Sequence, residues 1–488
     1  MQASCGWRHS ALVIDDGSLY VAGDNEHGQL GLGESHEAVE GGALSGVVCP
    51  RMTRVPGLDA LTVVQVSCGR SHTAFVCDAG ELFSMGLGLY GQLGVGALVS
   101  ESQPRRVPNV GGGAAFVSCG DLHTLVLRAD GRALSCGFNE AGRLGRLLDE
   151  EATCAESLGV LPLHAAAAGQ SDAFAIIALS AGGAHSALIT ADGSAYTCGR
   201  GEQGQLGHGK ESVQASGEDG GGEKLPRRVA ALKQHKIRRA ALGQSHSLFL
   251  SQGGIAFSCG CGMYGRLGHG GRETSFVPMP VRLGEAIVVV QVSAGAAHSS
   301  FVTDTGAVYL CGDDSTGQLG LDRGKTTSLV PLPPSKFEKK HDGVVVLGAS
   351  CGGQHTAFLL RTVVDAKEDY RADQIAHAAT VIEALFRGNH QRHLSDAVRQ
   401  RKRGGRADVH HSAKQRDMAA SVLQAAWRLH LGVLERERRE QLRQLRALRD
   451  HADDDKWWGR IQRQFDAASV SNTFAEAHGN RTIIRPSW

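Results

Sequence analysis

A histidine returns seven times between residues 9 and 355, each time in the same company. His9, His72, His123, His185, His246, His298 and His355 sit in CGWRHSALV, CGRSHTAFV, CGDLHTLVL, GGAHSALI, GQSHSLFL, GAAHSSFV and CGGQHTAFLL. A repeat of this kind constrains the fold more than any single motif, because every copy must build the same unit and stack on its neighbours. Within each of the first six copies the register is rigid. A glycine follows eight residues after the histidine, from Gly17 to Gly306, and another six later, from Gly23 to Gly312. Five residues on comes a Gly-Gln/Arg-Leu-Gly tetrapeptide, starting at Gly28, Gly91, Gly142, Gly204, Gly265 and Gly317. All variation in length falls between that tetrapeptide and the next histidine.

The split has a physical reason. HSALVI and SLYVAG are short apolar and β-branched runs separated by Asp15-Asp16-Gly17, and a glycine at positive φ after an acidic residue suits a hairpin turn. One residue inserted inside a hairpin turns every following side chain to the wrong face. Insertions outside it are cheap, so 34–51 and the Gly- and acid-rich 211–223 are expected to be surface loops, and these two loops are the expected specificity elements. The 65 glycines fit a chain full of tight turns and show no collagen period. Repeats of this length, each predicted as four short strands, point to an all-β propeller.

The pattern CGxxHT…DG…GxNxxGQLG resembles the regulator of chromosome condensation repeat over about residues 1–361. The resemblance implies a seven-bladed propeller spanning 1–364. Two departures are visible. The family hairpin usually ends in Trp-Gly, whereas the equivalents here are Ala22, Met85, Cys136, Cys198, Cys259 and Cys311. The seventh copy stops after HTAFLLRT, so the way the ring closes is left open: a partly open ring, or a first segment not present in this sequence.

Several residues look chemical and are read as structural. The seven histidines are expected to be buried and hydrogen-bonded within their own blades, held apart by symmetry rather than converging on a metal. Eight of the twelve cysteines occupy two repeat positions and behave as small hydrophobes; Cys49, Cys77, Cys154 and Cys261 fall outside them and are expected to be free thiols. GRGEQG at 199–204 lacks the strand–loop–helix context of a dinucleotide site. No catalytic constellation appears, so no catalytic, metal or cofactor-binding residue is assigned, no cofactor is expected and the chain is not read as an enzyme. The opening MQASCGWRHS has no basic stretch leading into an apolar one, and no apolar run is long enough to span a bilayer, so no membrane insertion is expected. A formal charge of +1 does not single out nucleic acid as a partner. Reduced thiols place the chain in the cytoplasm, with the nucleus as the alternative.

Composition changes after about residue 364. Residues 365–488 carry 23 Lys/Arg against 17 Asp/Glu and few glycines. Apolar spacing at Ile375, Ala379, Ile382 and Phe386, and again at Leu423, Trp427, His430 and Leu434, predicts two amphipathic basic helices. Both resemble the IQ motif, which implies binding to calmodulin or another EF-hand protein. The first segment, 382–392, reads Ile382, Glu383, Arg387, Gly388 and Arg392; the second, 423–433, reads Leu423, Gln424, Trp427 and Arg428. A helical hairpin packing on itself fits the same period. The apolar face would fill the EF-hand groove and the arginines its acidic rim.

Two functions fit the sequence. The first is a protein-interaction scaffold, with the propeller holding a protein and the tail an EF-hand protein. The second is guanine-nucleotide exchange on a Ran-like small GTPase, implied by the founding member of the resembled family and supported by fold analogy alone.

Overall fold

The computed structural model describes residues 1–33, 48–149, 152–163, 175–211, 222–284, 287–321, 324–331, 344–362 and 383–384. They form an all-β propeller of six complete blades. Each blade is an antiparallel four-stranded meander taken in chain order from the central channel outwards. The first runs Gln2–Cys5, His9–Val13, Leu19–Asp24 and Val48–Arg54. The second repeats this with Val63–Cys68, His72–Cys77, Leu82–Gly86 and Glu101–Arg106. The inner strands of blades three to six are Ala114–Cys119, Ile176–Ala181, Ile237–Leu242 and Val289–Ala294.

The repeated glycines sit where the hairpins need them. Gly17 turns the second strand into the third at φ 79°, a conformation that costs a Cβ-bearing residue about 1–2 kcal/mol. Pairing then runs from Val13–Leu19 to His9–Gly23 without a slip. The second strands HTAFVC, HSALIT, HSLFLS and HSSFVT are buried along their whole length, being covered by a blade on each face. The core is accordingly divided into inter-blade clusters. Val13, Val21 and Leu30 of blade one pack on Val66, Phe75 and Met85 of blade two, and Leu248, Leu250 and Val281 of blade five pack on Val292 and Phe301 of blade six.

The expectation of seven blades is corrected. After the sixth blade, among the described residues, the sheet holds only Val344–Cys351, Thr356–Thr362 and the two-residue strand Glu383–Ala384. The repeat that would supply a full third strand and a Gly-Gln-Leu-Gly is absent from the seventh copy. Glu383 and Ala384 are extended and pair with Phe358 and Ala357, and the rest of the helix expected around Glu383 lies outside the described residues. The expected insertions are shorter than read, too. Residues 48–51 belong to the outer strand of blade one, and Glu223 opens the outer strand Glu223–Arg228 of blade four.

The first blade meets this seventh sheet directly. Gly353 N donates to Gly6 O at 3.0 Å and Cys5 N to Ser350 Oγ at 3.0 Å, so hydrogen bonds join the two ends of the described propeller.

Candidate functional site

The seven histidines form one ring, and their role corrects the expectation of bonds within a blade. Each Nε2 reaches the hydroxyl that follows the histidine of the next blade: His9 to Thr73 at 2.8 Å, His72 to Thr124, His123 to Ser186, His185 to Ser247 and His246 to Ser299 at 2.9 Å, and His298 to Thr356 at 3.0 Å. His355 completes the circle on Ser10 at 2.9 Å. The histidine ends up beside the neighbouring blade because its strand lies at a blade-to-blade packing face.

Six of these hydroxyls donate in turn to the carbonyl of the second tetrapeptide residue, as Thr73 does to Gln29 O and Ser186 to Arg143 O. A hydroxyl has one proton. Having given it to a carbonyl, it accepts from the imidazole, so Nε2 carries the hydrogen. Burial holds the imidazoles neutral: His9, His185 and His298 are lowered to about 3 and His72 and His355 to about 4. Among the described residues no group of three or more His, Cys, Asp or Glu is placed to hold a metal. No disulfide links any of the twelve cysteines.

This ring fixes the face that carries the first-to-second-strand and third-to-fourth-strand loops. The tetrapeptide decides the shape of the latter. Where its second residue is Gln, the side-chain Oε1 accepts the N–H two residues earlier: Gln29 from His27, Gln92 from Tyr90, Gln205 from Gln203 and Gln318 from Thr316. Arg143 and Arg266 have no acceptor to offer. Both turns become short 3-10 segments, Glu140–Gly142 and Met263–Gly265, in which Ala141 and Tyr264 take φ 58° and 65°. Each guanidinium instead crosses to the next blade, Arg143 Nη1 to Gly183 O at 3.5 Å and Arg266 Nη1 to Ala296 O at 2.9 Å. Burial lowers both pKa values, yet a guanidinium stays charged.

A strip of alternating charge runs from blade two to blade four on this face. Arg70 lies over the Trp7 ring at 4.9 Å and faces Asp121 at 3.7 Å. Burial raises the Asp121 carboxyl, while Arg70 and Arg143 oppose the rise. Glu140 bridges Arg143 at 2.9 Å and Arg200 at 3.0 Å. Beside the strip, the third-to-fourth-strand loops of blades two and three expose Leu89, Tyr90, Leu98, Val99 and Leu147, the last at 66%. Tyr90 packs on Phe138 at 5.2 Å, and Arg143 lies over the other ring at 5.1 Å. Rigid aromatic and apolar groups beside arginines are what protein interfaces enrich. The central channel, about 270 Å³, is lined mainly by small inner-strand residues such as Ser67, Ser118 and Gly182, with Trp7, Arg70 and Phe116 also on its wall.

The structure therefore gathers the seven histidines and leaves the tail motifs outside the described residues: Ile382, Arg387, Gly388, Arg392, Leu423, Gln424, Trp427 and Arg428 all lie there, and only the backbone of Glu383 is described. The middles of both expected specificity loops, 34–47 and 212–221, lie outside as well. Sequence reading treated Gln and Arg in the tetrapeptide as equivalent. The Arg143 and Arg266 substitutions were its available signal for two distinct turns.

Known proteins share this architecture. The RCC1-like domain family matches residues 88–364, and regulator of chromosome condensation repeats match 16–76, 2–29 and 63–92. The ultraviolet-B receptor UVR8 of Arabidopsis thaliana is 28% identical over 355 residues, 72% of this chain and 73% of the receptor. The E3 ubiquitin-protein ligase HERC2 of Homo sapiens is 32% identical over 309 residues, 62% of this chain but 6% of the ligase. Among solved structures, Prp20p of Saccharomyces cerevisiae matches with a TM-score of 0.62 at 20% identity, over 75% of this chain and 83% of that one. Human WBSCR16 matches with a TM-score of 0.60 at 24% identity, over 74% and 86%. With more than half its length matched, from the second blade through the seventh sheet, the chain belongs to the RCC1-like domain family.

Proposed function

We propose that this propeller is a protein-binding platform and that its partner face is the one bearing Tyr90, Phe138 and Leu147. The exposed apolar cluster carries the reading. Leu89, Tyr90, Leu98, Val99 and Leu147 are held by blades that the histidine ring makes rigid, so little ordering cost accompanies docking. Covalent chemistry is not part of the proposal: the buried imidazoles are neutral and already bonded. Tyr90→Ala with Leu147→Asp should weaken binding of a protein partner by about tenfold or more, as loss of an interface anchor does. Unchanged affinity for every partner of the propeller would sink the assignment of this face.

The tail supplies a second module in this proposal. Its IQ-like segments would recruit calmodulin or another EF-hand protein through Ile382, Trp427 and the neighbouring arginines. Support comes from residue pattern and from the positive balance of 365–488. Calorimetry of the full chain with calmodulin, with and without calcium, is the test: saturable binding lost in Ile382→Asp or Trp427→Ala is expected, and no heat in either condition removes this module.

A second reading is guanine-nucleotide exchange on a Ran-like small GTPase. Its motive is the likeness to Prp20p, for which binding to Gsp1p and histones has been described. At 20% identity that likeness establishes the fold alone. Accelerated nucleotide release from a panel of small GTPases would favour it over the scaffold reading.

A further inference from the structure

The two arginine-bearing turns are copies of one device, and one copy lacks a piece. In blade three, Arg143 is 3% exposed and its Nη2 bonds the Glu140 carboxylate at 2.9 Å, within the same turn. In blade five, Met263 stands where Glu140 stands, three residues before Arg266. Arg266 is as deeply placed, at 6% exposure. Its Nε donates to Met263 O at 3.0 Å, its Nη1 to Ala296 O at 2.9 Å, and its guanidinium lies 5.5 Å from the Tyr264 ring. Among the described residues no carboxylate comes within ion-pair distance of it. Asp313 on the next blade supports the charge from further off, but its oxygens are taken by Ser315 N, Ser315 Oγ and Gln318 Nε2.

A cation sunk in a protein surface is costly unless an anion meets it. The other five complete blades do not carry this arrangement: four have a neutral Gln and the fifth has Glu140. Met263, the residue in place of the acid, is 55% exposed and offers an apolar shelf beside the guanidinium. Tyr264 is held at positive φ, the kind of backbone strain that accumulates at recognition sites.

We propose that Arg266, Met263 and Tyr264 form a docking site for a Glu or Asp side chain of a partner protein, seated as Glu140 is seated on Arg143. The partner segment presents its acid next to an apolar residue that packs on Met263. This deepens the platform reading and rests on it for a protein partner; the carboxylate chemistry stands on Arg266 alone.

The probe is a rhodamine-labelled, end-blocked peptide Gly-Leu-Leu-Glu-Leu-Gly and its counterpart with Gln in place of Glu. Binding to the full chain is followed by fluorescence anisotropy. The Glu peptide should bind saturably and about tenfold more tightly than the Gln peptide, with the preference shrinking as salt rises. R266Q, which installs the residue four other blades carry, should abolish the preference. M263E, which supplies the acid within the turn, should abolish it too and leaves the buried arginine in place, so it decides the matter even where R266Q melts early. E140M should open a second site and double the stoichiometry. Equal affinity for the two peptides in the unaltered chain overturns the proposal, as does a preference that survives both R266Q and M263E. The platform reading fails separately, when Tyr90→Ala with Leu147→Asp leaves partner binding intact.

Discussion

His355 Nε2 and the hydroxyl of Ser10 share a hydrogen bond of 2.9 Å across 345 residues of sequence, which joins the last copy of the repeat to the first. The other six histidines make the same bond to the next blade. Ser10 differs in one respect. The seventh copy has no tetrapeptide to offer a carbonyl, and the Ser10 hydroxyl faces Cys5 Sγ at 3.7 Å.

Replacing a ring histidine should therefore loosen two blades at once. His246→Ala removes a bond to Ser299 and empties buried volume, and a loss of about 2–4 kcal/mol is expected in urea unfolding. A loss under about 0.5 kcal/mol would show that the ring is not a source of stability.

A second circle of bonds contains one gap. Ser4, Ser67, Ser118, Ser180, Ser293 and Ser350 each accept a backbone N–H from the next inner strand, as Ser180 Oγ does from Leu242 N at 3.1 Å. Ala241 occupies the seventh place, between blades five and six. Ala241→Ser should stabilise the propeller by about 0.5–1.5 kcal/mol, and Ser180→Ala should cost a similar amount. Equilibrium unfolding of the two variants checks both signs.

Acid should destabilise the fold through the ring. Unfolded histidines titrate near 6.5, whereas in the fold burial lowers His9, His185 and His298 to about 3 and His72 and His355 to about 4. Between those limits the unfolded chain binds protons that the folded chain does not. Stability then rises with pH. The histidine contribution should be flat above about pH 7 and fall as pH drops through 6.5 towards 4. Urea midpoints across that range, compared between the unaltered chain and His123→Gln, should differ in slope by about one proton.

The left-handed Ala141 offers a test of turn coupling. Ala141→Gly should gain up to about 1 kcal/mol while Arg143 is present, since glycine takes φ 58° freely. In an Arg143→Gln background, where the side-chain amide can accept the Ala141 N–H, the gain should vanish. A double-mutant cycle in thermal unfolding measures the difference.

Thiol reactivity should divide the cysteines. Cys49 and Cys154 are only partly covered, while the other ten are buried. Burial pushes Cys119, Cys136 and Cys198 up to about 12 and Cys351 to about 11. Iodoacetamide on the folded chain should modify Cys49 and Cys154 first, with the ten others following only on unfolding, as mass spectrometry of peptides would record.

What the sequence by itself determined is the blade. The fixed eight-, six- and five-residue offsets, the hairpin glycine at Gly17 and its copies, and the run of buried second-strand residues are local requirements, legible because a hairpin tolerates no slip. The sequence also located the seven histidines, although not their partners. Which hydroxyl each imidazole meets was decided by tertiary structure, since the bond joins consecutive blades whose spacing in sequence varies with loop length. The same holds for the face. Leu89, Tyr90 and Leu147 read as ordinary loop residues, and Arg143 and Arg266 as variants of Gln, until the ring set adjacent blades side by side. Only then does Arg200 reach Glu140 and Arg266 reach Ala296 O, because partnership across blades depends on distances that no repeat register encodes.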